Sequence, residues 1–423
     1  MPPEYPPAAG NPPDKREARA TLAAGLFTNG VWDMLSIIVP LYAVAVGLSV
    51  SEIGFIVAAR SVLPTALSIH GGILMDRWGT RRVLTRLSIA SIALPLLYPL
   101  SGWFGVLVLL QLILGLASSL GMAAAQTWSL QSSHGDTATL ARFSIFSRIG
   151  TFVGPVTIGV IWDAFGAWPA FACVSLWAAG ILGSAAYGAP ASTARSEETN
   201  APRGPVSTGF SELLPRWAEH KDALALAAIP AVAFVLAVSF LRNSPGAIQA
   251  SFYVVYLGDA GFSGTMIGTL VGVSEFFGVV GSLAAAPLER LILTRRLLIA
   301  CILSSIAAIA LTPLIGHFLV LLFIAAGVRG VAQGVSQPLM YSILGRAVPA
   351  AMHGATVGLR NSVTRLASIV TPAFMGIVAE VWGIEASFYV IGGLFLAATF
   401  ALGMVAGSVL RERRGKARLR DER

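Results

Sequence analysis

Charge is scarce in this chain. Of its 423 residues only 12% are Asp, Glu, Lys or Arg, against roughly 25% in a water-soluble domain. So few charges cannot clothe a soluble surface, and with 55% hydrophobic residues the chain reads as an integral membrane protein. Lysine is almost absent: Lys15, Lys221 and Lys416 stand alone, and the one Gly-Lys pair, Gly415-Lys416, is followed by Ala417 rather than the Ser or Thr of a phosphate loop. ATP is therefore excluded as the energy source. The five histidines (His70, His134, His220, His317, His353) are scattered, and no H-E-x-x-H occurs. The two cysteines, Cys173 and Cys301, lie inside separate apolar runs, where they read as small buried side chains rather than a disulfide or metal pair. No convergent catalytic set is legible, so the expectation is a non-enzyme with no cofactor and no metal.

Long apolar runs are what the chain does have. Crossing roughly 30 Å of hydrocarbon takes about 20 apolar residues in a helix. Such runs fall at 22–47, 52–74, 83–101, 104–130, 141–162 and 168–188, and again at 224–257, 263–286, 297–315, 318–345, 356–380 and 386–409. The expectation is an all-α protein of twelve transmembrane helices. With both termini in the cytoplasm, the connections 48–51, 102–103, 163–167, 258–262, 316–317 and 381–385 face outside, and none contains Lys or Arg. The basic residues crowd the other side, ending in the tail RERRGKARLRDER. This is the positive-inside pattern. The net charge of +8 thus marks a cytoplasmic face against anionic lipid, not a nucleic-acid site. A multi-pass protein of the inner (plasma) membrane follows as an expectation.

The Pro-rich start, 1–21, reads as a disordered cytoplasmic tail, and 189–223, containing ASTARSEETNAPRGPVSTGF, as a cytoplasmic linker. Between them lies one six-helix bundle (22–188), after them a second (224–410), and last a basic tail (411–423). The halves repeat each other. Arg148, Pro155, Gly159, Asp163, Gly166 and Phe171 fall on Arg365, Pro372, Gly376, Glu380, Gly383 and Phe388 at an offset of 217; Thr80-Arg81-Arg82 falls on Thr294-Arg295-Arg296 at 214. Tyr42 and Gly47 align with Tyr253 and Gly258 at 211. Two copies of a six-helix unit keep one orientation, related by an axis along the membrane normal.

Between the second and third runs stands G-x-x-x-D-R-x-G-x-R-R, as Gly72, Asp76, Arg77, Gly79, Arg81 and Arg82. In letters and in place it resembles the signature loop of the major facilitator superfamily. The fifth run carries Arg148, Gly150, Gly154, Pro155 and Gly159, similar to the glycine–proline motif of the drug/proton antiporter branch, with the last glycine one place late. Gln111 stands where that branch has a helix-4 arginine. The resemblance implies two pseudo-symmetric bundles, alternating access, and a signature loop that latches the bundles on the cytoplasmic side. It also implies a cavity lined by helices 1, 2, 5, 7, 8 and 11.

Charge inside the membrane costs about 2.5–3.5 kcal/mol per group unless paired or facing a wet cavity. Asp33, Arg60, Arg148, Arg242, Glu275, Arg329 and Arg365 all lie within apolar runs. Proton-coupling or substrate candidates are Asp33, Arg60, Arg242, Glu275, Arg329 and Arg365, with Asp33 first as the coupling carboxyl and Arg60 or Arg242 as its partner. His70 is a further proton candidate or a packing histidine. Trp32, Asn29, Gln126, Trp128 and Tyr253 could supply stacking and hydrogen bonds. The expected function is secondary active transport of a small molecule by a functional monomer, proton-coupled and directed outward; the alternative is proton-coupled uptake of a small organic anion.

Overall fold

A computed structural model describes residues 15–133, 137–188, 230–347 and 353–421. The expected disordered start up to residue 14, the whole linker 189–223, and the beginning of the seventh run at 224–229 lie outside the described residues. Every regular element described is helical. The first half comprises α1 (Lys15–Ala45), α2 (Val50–Trp78), α3 (Thr80–Ala93), α4 (Phe104–Ser133), α5 (Thr137–Phe165) and α6 (Ala167–Tyr187). A 3₁₀ stretch, Leu94–Leu100, continues α3. In the second half α7 runs Pro230–Ile248, passes through a π turn at Gln249–Tyr253 and ends as Val254–Asp259. It is followed by α8 (Gly264–Leu291), α9 (Thr294–Ala310), α10 (Leu319–Ala347), α11 (His353–Trp382) and α12 (Ile384–Asp421).

Ten of these helices are long and apolar enough to cross a membrane. The two others are α7, broken by its π turn, and α9, 17 residues long. Helix α1 begins at Lys15 rather than at 22, and α12 runs on to Asp421, so backbone expected as tail is helical at both ends of the described chain.

Within each half the described connections between consecutive helices are short enough to force antiparallel neighbours, and the described helix ends sort into a tail end, where α1 starts and α12 finishes, and a far end. At the tail end Gly79 (φ 84) joins α2 to α3, a left-handed conformation that a Cβ would strain.

The far-end turns revise the repeat. After α1, Gly47 takes φ 78, Leu48 N donates to Ala43 O and Ser49 caps α2; after α7, Gly261 takes φ 82, Phe262 N donates to Leu257 O and Ser263 caps α8. The counterpart of Gly47 is therefore Gly261, not Gly258, and the offset through this region is 214. Tyr42 matches Tyr256 by the same count. Tyr42 packs edge-on to Phe171 at 5.3 Å, Tyr256 edge-on to Phe388 at 5.7 Å, and each hydroxyl donates to the backbone of a neighbouring far-end turn. Letter matching alone paired the wrong tyrosine; the turn geometry identifies the right one.

Candidate functional site

Two seams hold the bundles together toward the far end, and they are copies of one another. In the first, α5 lies on α8. A Cβ on Gly268 would press on the Pro155 carbonyl, and one on Gly159 on the Gly264 carbonyl. In the second, α11 lies on α2. A Cβ on Gly54 would meet Pro372 O at 2.6 Å, and one on Gly376 would meet Ser51 Cα at 3.1 Å. Gly54 and Gly268 are separated by 214, Pro155 and Pro372 by 217, so the same positions make both contacts. Only residues without side chains let backbones approach this closely.

Each seam ends in a carboxylate at the start of the opposing helix. Asp163 accepts from Gly264 N (2.7 Å), Thr265 N (2.7 Å) and Thr265 Oγ1 (2.6 Å). Its repeat mate Glu380 accepts from Ser51 N at 3.1 Å. Free N–H groups and the helix dipole make a helix N-terminus a natural seat for a carboxylate. The helix-5 motif therefore has two faces. Gly150 and Gly154 press on α1, the latter with its Cβ position 3.0 Å from Gly30 O, while Pro155 and Gly159 build the seam.

Between the bundles is a cavity of about 490 Å³, lined from both halves by α1, α2, α4, α7, α8 and α11. Four expected ionic residues face it: Asp33, Arg60, Glu275 and Arg365. Asp33 and Glu275 come from opposite bundles and lie in each other's field, with Arg60 beside Asp33. Arg60 is buried, its guanidinium 3.6 Å from the centre of the Trp32 ring, and it donates to the Trp32 carbonyl. Around Glu275 stand Arg148, Arg329 and Arg242.

Arg242 and Arg329 are not among the lining residues. Arg242 donates to Ser336 Oγ (2.8 Å) and Gln333 O (2.8 Å), binding α7 to α10. Arg329 is buried over the Tyr253 ring, 5.1 Å from its centre, and donates to Ser274 Oγ at 3.3 Å. Arg148 reaches across to α8, with Nη1 3.9 Å from the Cβ position of Gly278.

Of the neutral candidates, Trp32 and Gln126 line the cavity. Asn29 instead donates to Gly25 O, Tyr253 lies under Arg329, and Trp128 donates to Glu17 Oε1 at 2.9 Å. That bond borders a recess of about 320 Å³ near the tail end, shared with Gly79, Arg81 and Arg82. The signature residues Arg77 and Arg81 are both engaged; the surroundings of Gly72 and the side chains of Asp76 and His70 lie outside what is described.

Sequence reading missed a polar stripe on α11. Asn361, Thr364, Arg365, Ser368 and Pro372 all face the cavity, at the i, i+3, i+4, i+7 spacing of one helix face, and that spacing was the available signal. Asn243 of α7 braces the stripe, donating to Thr364 O and Ser368 Oγ at 2.9 Å each.

The family model of the Major Facilitator Superfamily matches residues 21–247 and 233–423, nearly the whole chain. The chain belongs to the Major Facilitator Superfamily. Among solved structures it is similar to the nucleoside transporter NupG, at 15% identity and a TM-score of 0.74, covering 91% of this chain and 98% of that one. It is similar also to a peptide transporter POT in complex with sulfate (14%, TM-score 0.70, 96% of each chain). A POT family transporter in complex with 5-aminolevulinic acid is a further likeness (12%, TM-score 0.70, 95% and 98%). At these identities the likeness is one of fold. A comparison with curated proteins gives no match. Membership makes the chain a multi-pass membrane transporter of a small molecule rather than an enzyme.

Proposed function

We propose that the protein is a proton-coupled secondary transporter that works by alternating access, with Asp33 and Glu275 as its coupling carboxyls. The observation that carries this reading is the facing of these two acids, one from each bundle, across a cavity between the bundles. Two carboxyls held together in a site of low dielectric repel unless a proton or cation intervenes. Rocking one bundle against the other changes their separation, and so the affinity for that proton. Solute bound in the same cavity is linked to it by shared charge.

In this reading the far-end seams form the closed gate. The tail end faces the cytoplasm, on the distribution of arginines, and the signature loop from Gly72 to Arg82 latches the opposite state. Export is the direction assigned, on the helix-5 glycines and proline. Uptake is the second reading, favoured by the ionic lining of the cavity.

Purified protein in proteoliposomes, loaded with a pH dye and challenged with a solute panel under gradients of either sign, tests the coupling. Wild type should move protons with its solute. Asp33→Asn should keep solute exchange between compartments yet lose pH-driven accumulation. Undiminished accumulation by Asp33→Asn removes Asp33 from the coupling role.

A further inference from the structure

The repeat, in its corrected register, places two arginines in equivalent settings with different surroundings. Arg148 of α5 and Arg365 of α11 are mates at an offset of 217; each belongs to the helix that forms a seam, with α8 and α2 respectively. Along α2 and α8 the offset is 214 without a break, from Ser49 and Ser263 at their caps to Thr80 and Thr294 beyond their ends. Arg148 has Glu275 of α8 as a charged neighbour. The residue of α2 that matches Glu275 is Ser61. One seam thus has a guanidinium near a carboxylate; in the other, the guanidinium has only a hydroxyl at the matching place.

Ser61 and Arg365 both line the cavity. Among the described residues Arg365 makes no hydrogen bond or ion pair, and neither Asp33 nor Glu275 has it as a charged neighbour. Of the charged lining residues, Asp33 has Arg60 beside it, and Glu275 has Arg148, Arg329 and Arg242, none of them in the lining, as charged neighbours, which leaves Arg365 without an acid of its own. Arg365 is half-buried, and a partly desolvated cation without a counter-charge gains when an anion joins it.

We infer that the solute is an anion, whose carboxylate or phosphate group sits beside Arg365 in the place that Glu275 holds beside Arg148. This rests on the cavity being the transport site. Asn361, one helical turn before Arg365 and also facing the cavity, would add a donor, and a planar guanidinium grips either group through paired N–H bonds. Asn243, bonded to the backbone and side chain on either side of Arg365, is the positioning residue. A volume near 490 Å³ suits a small organic anion rather than a polymer.

The test uses the purified full-length protein, with binding read by thermal shift. The probes are benzoate, succinate, phenyl phosphate and glucose 6-phosphate, each beside its neutral ester or alcohol, with benzylamine as a cation. At least one anion should raise the melting temperature while its neutral partner does not. Arg365→Gln should weaken that anion at least tenfold, and Arg365→Lys should restore part of the loss. Ser61→Glu supplies the missing carboxylate within the chain. It should raise the melting temperature of the ligand-free protein and abolish the response to the anion.

The inference fails if only neutral or cationic probes bind. It fails equally if no anion binds, or if Arg365→Gln leaves anion affinity within twofold of wild type. Should Ser61→Glu not fold, the Gln and Lys variants at Arg365 decide alone. Solute movement in proteoliposomes separates the two readings. A neutral solute carried independently of Arg365 keeps the transport site and discards the anion; an anion that binds at Arg365 but is never moved keeps the binding site and discards the cavity as the transport site.

Discussion

The α5–α8 and α2–α11 seams share one geometry and differ in what satisfies their helix starts. At α2 the chain caps itself: Ser49 Oγ accepts from Glu52 N (3.3 Å) while Glu52 Oε2 accepts from Ser49 N (2.8 Å), a capping box made within four residues. Glu380 then adds one bond from the other bundle. At α8 the position matching Glu52 is Met266, which cannot reach back. Ser263 accepts from Met266 N, and the remaining donors, Gly264 N and Thr265 N, go to Asp163 of the other bundle. Each helix start keeps one side-chain cap of its own, and the other bundle adds one backbone bond at α2 but two at α8. In the proposed cycle, opening the far end costs α2 one of these bonds and α8 three, the Thr265 hydroxyl included, so the α5–α8 seam is the stronger holder of the closed state.

That asymmetry can be broken in graded steps, read as spin-label distances between Phe165→Cys and Ala260→Cys across the far end. The largest effect should come from Gly268→Leu, which drives a side chain into the Pro155 carbonyl. Overpacking of this kind costs about 1–3 kcal/mol, so the closed distance should fall to a minor population and transport should drop at least tenfold.

Asp163→Ala should follow. Loss of a cap costs about 1–2 kcal/mol, a shift of roughly 5–30-fold toward the open distance. Glu380→Ala, removing one bond from an already capped helix, should shift the population about two- to fivefold, for a cost of about 0.5–1 kcal/mol. Equal effects of Asp163→Ala and Glu380→Ala would erase the distinction between the seams. Smallest should be Glu52→Gln. A Gln can serve in the same box, so the distance distribution should stay within twofold of wild type.

Much of this was readable before any coordinates. Asp33, Arg60, Glu275 and Arg365 stood out because a charge in an apolar run is costly wherever the chain goes, and all four face the cavity. Arg242 and Arg329 raised the same signal yet bind within the second bundle. The letters give the cost of a buried charge but not the partner that meets it. Asp163 was visible only as the repeat mate of Glu380. Its task depends on a helix start 101 residues later in the chain, brought near by packing alone. Asn361 and Asn243 were passed over while Asn29 was named, and only the cavity tells them apart: Asn361 and Asn243 line it, whereas Asn29 bonds within its own helix.

The sequence by itself determined the membrane solvent, the all-helical class and the superfamily. These follow from one-dimensional properties: hydropathy summed over a run, and motif letters at a fixed place along the chain. Only the tertiary structure decided the register of the repeat at the end of α7, because the positive-φ glycine and the capped helix start that follow it, not the letters, identify Gly261 as the mate of Gly47. It alone decided which arginines face the cavity and which brace a bundle. It alone showed that equivalent seams close unequally, because hydrogen bonds and backbone approach depend on angstrom distances between residues far apart in the chain.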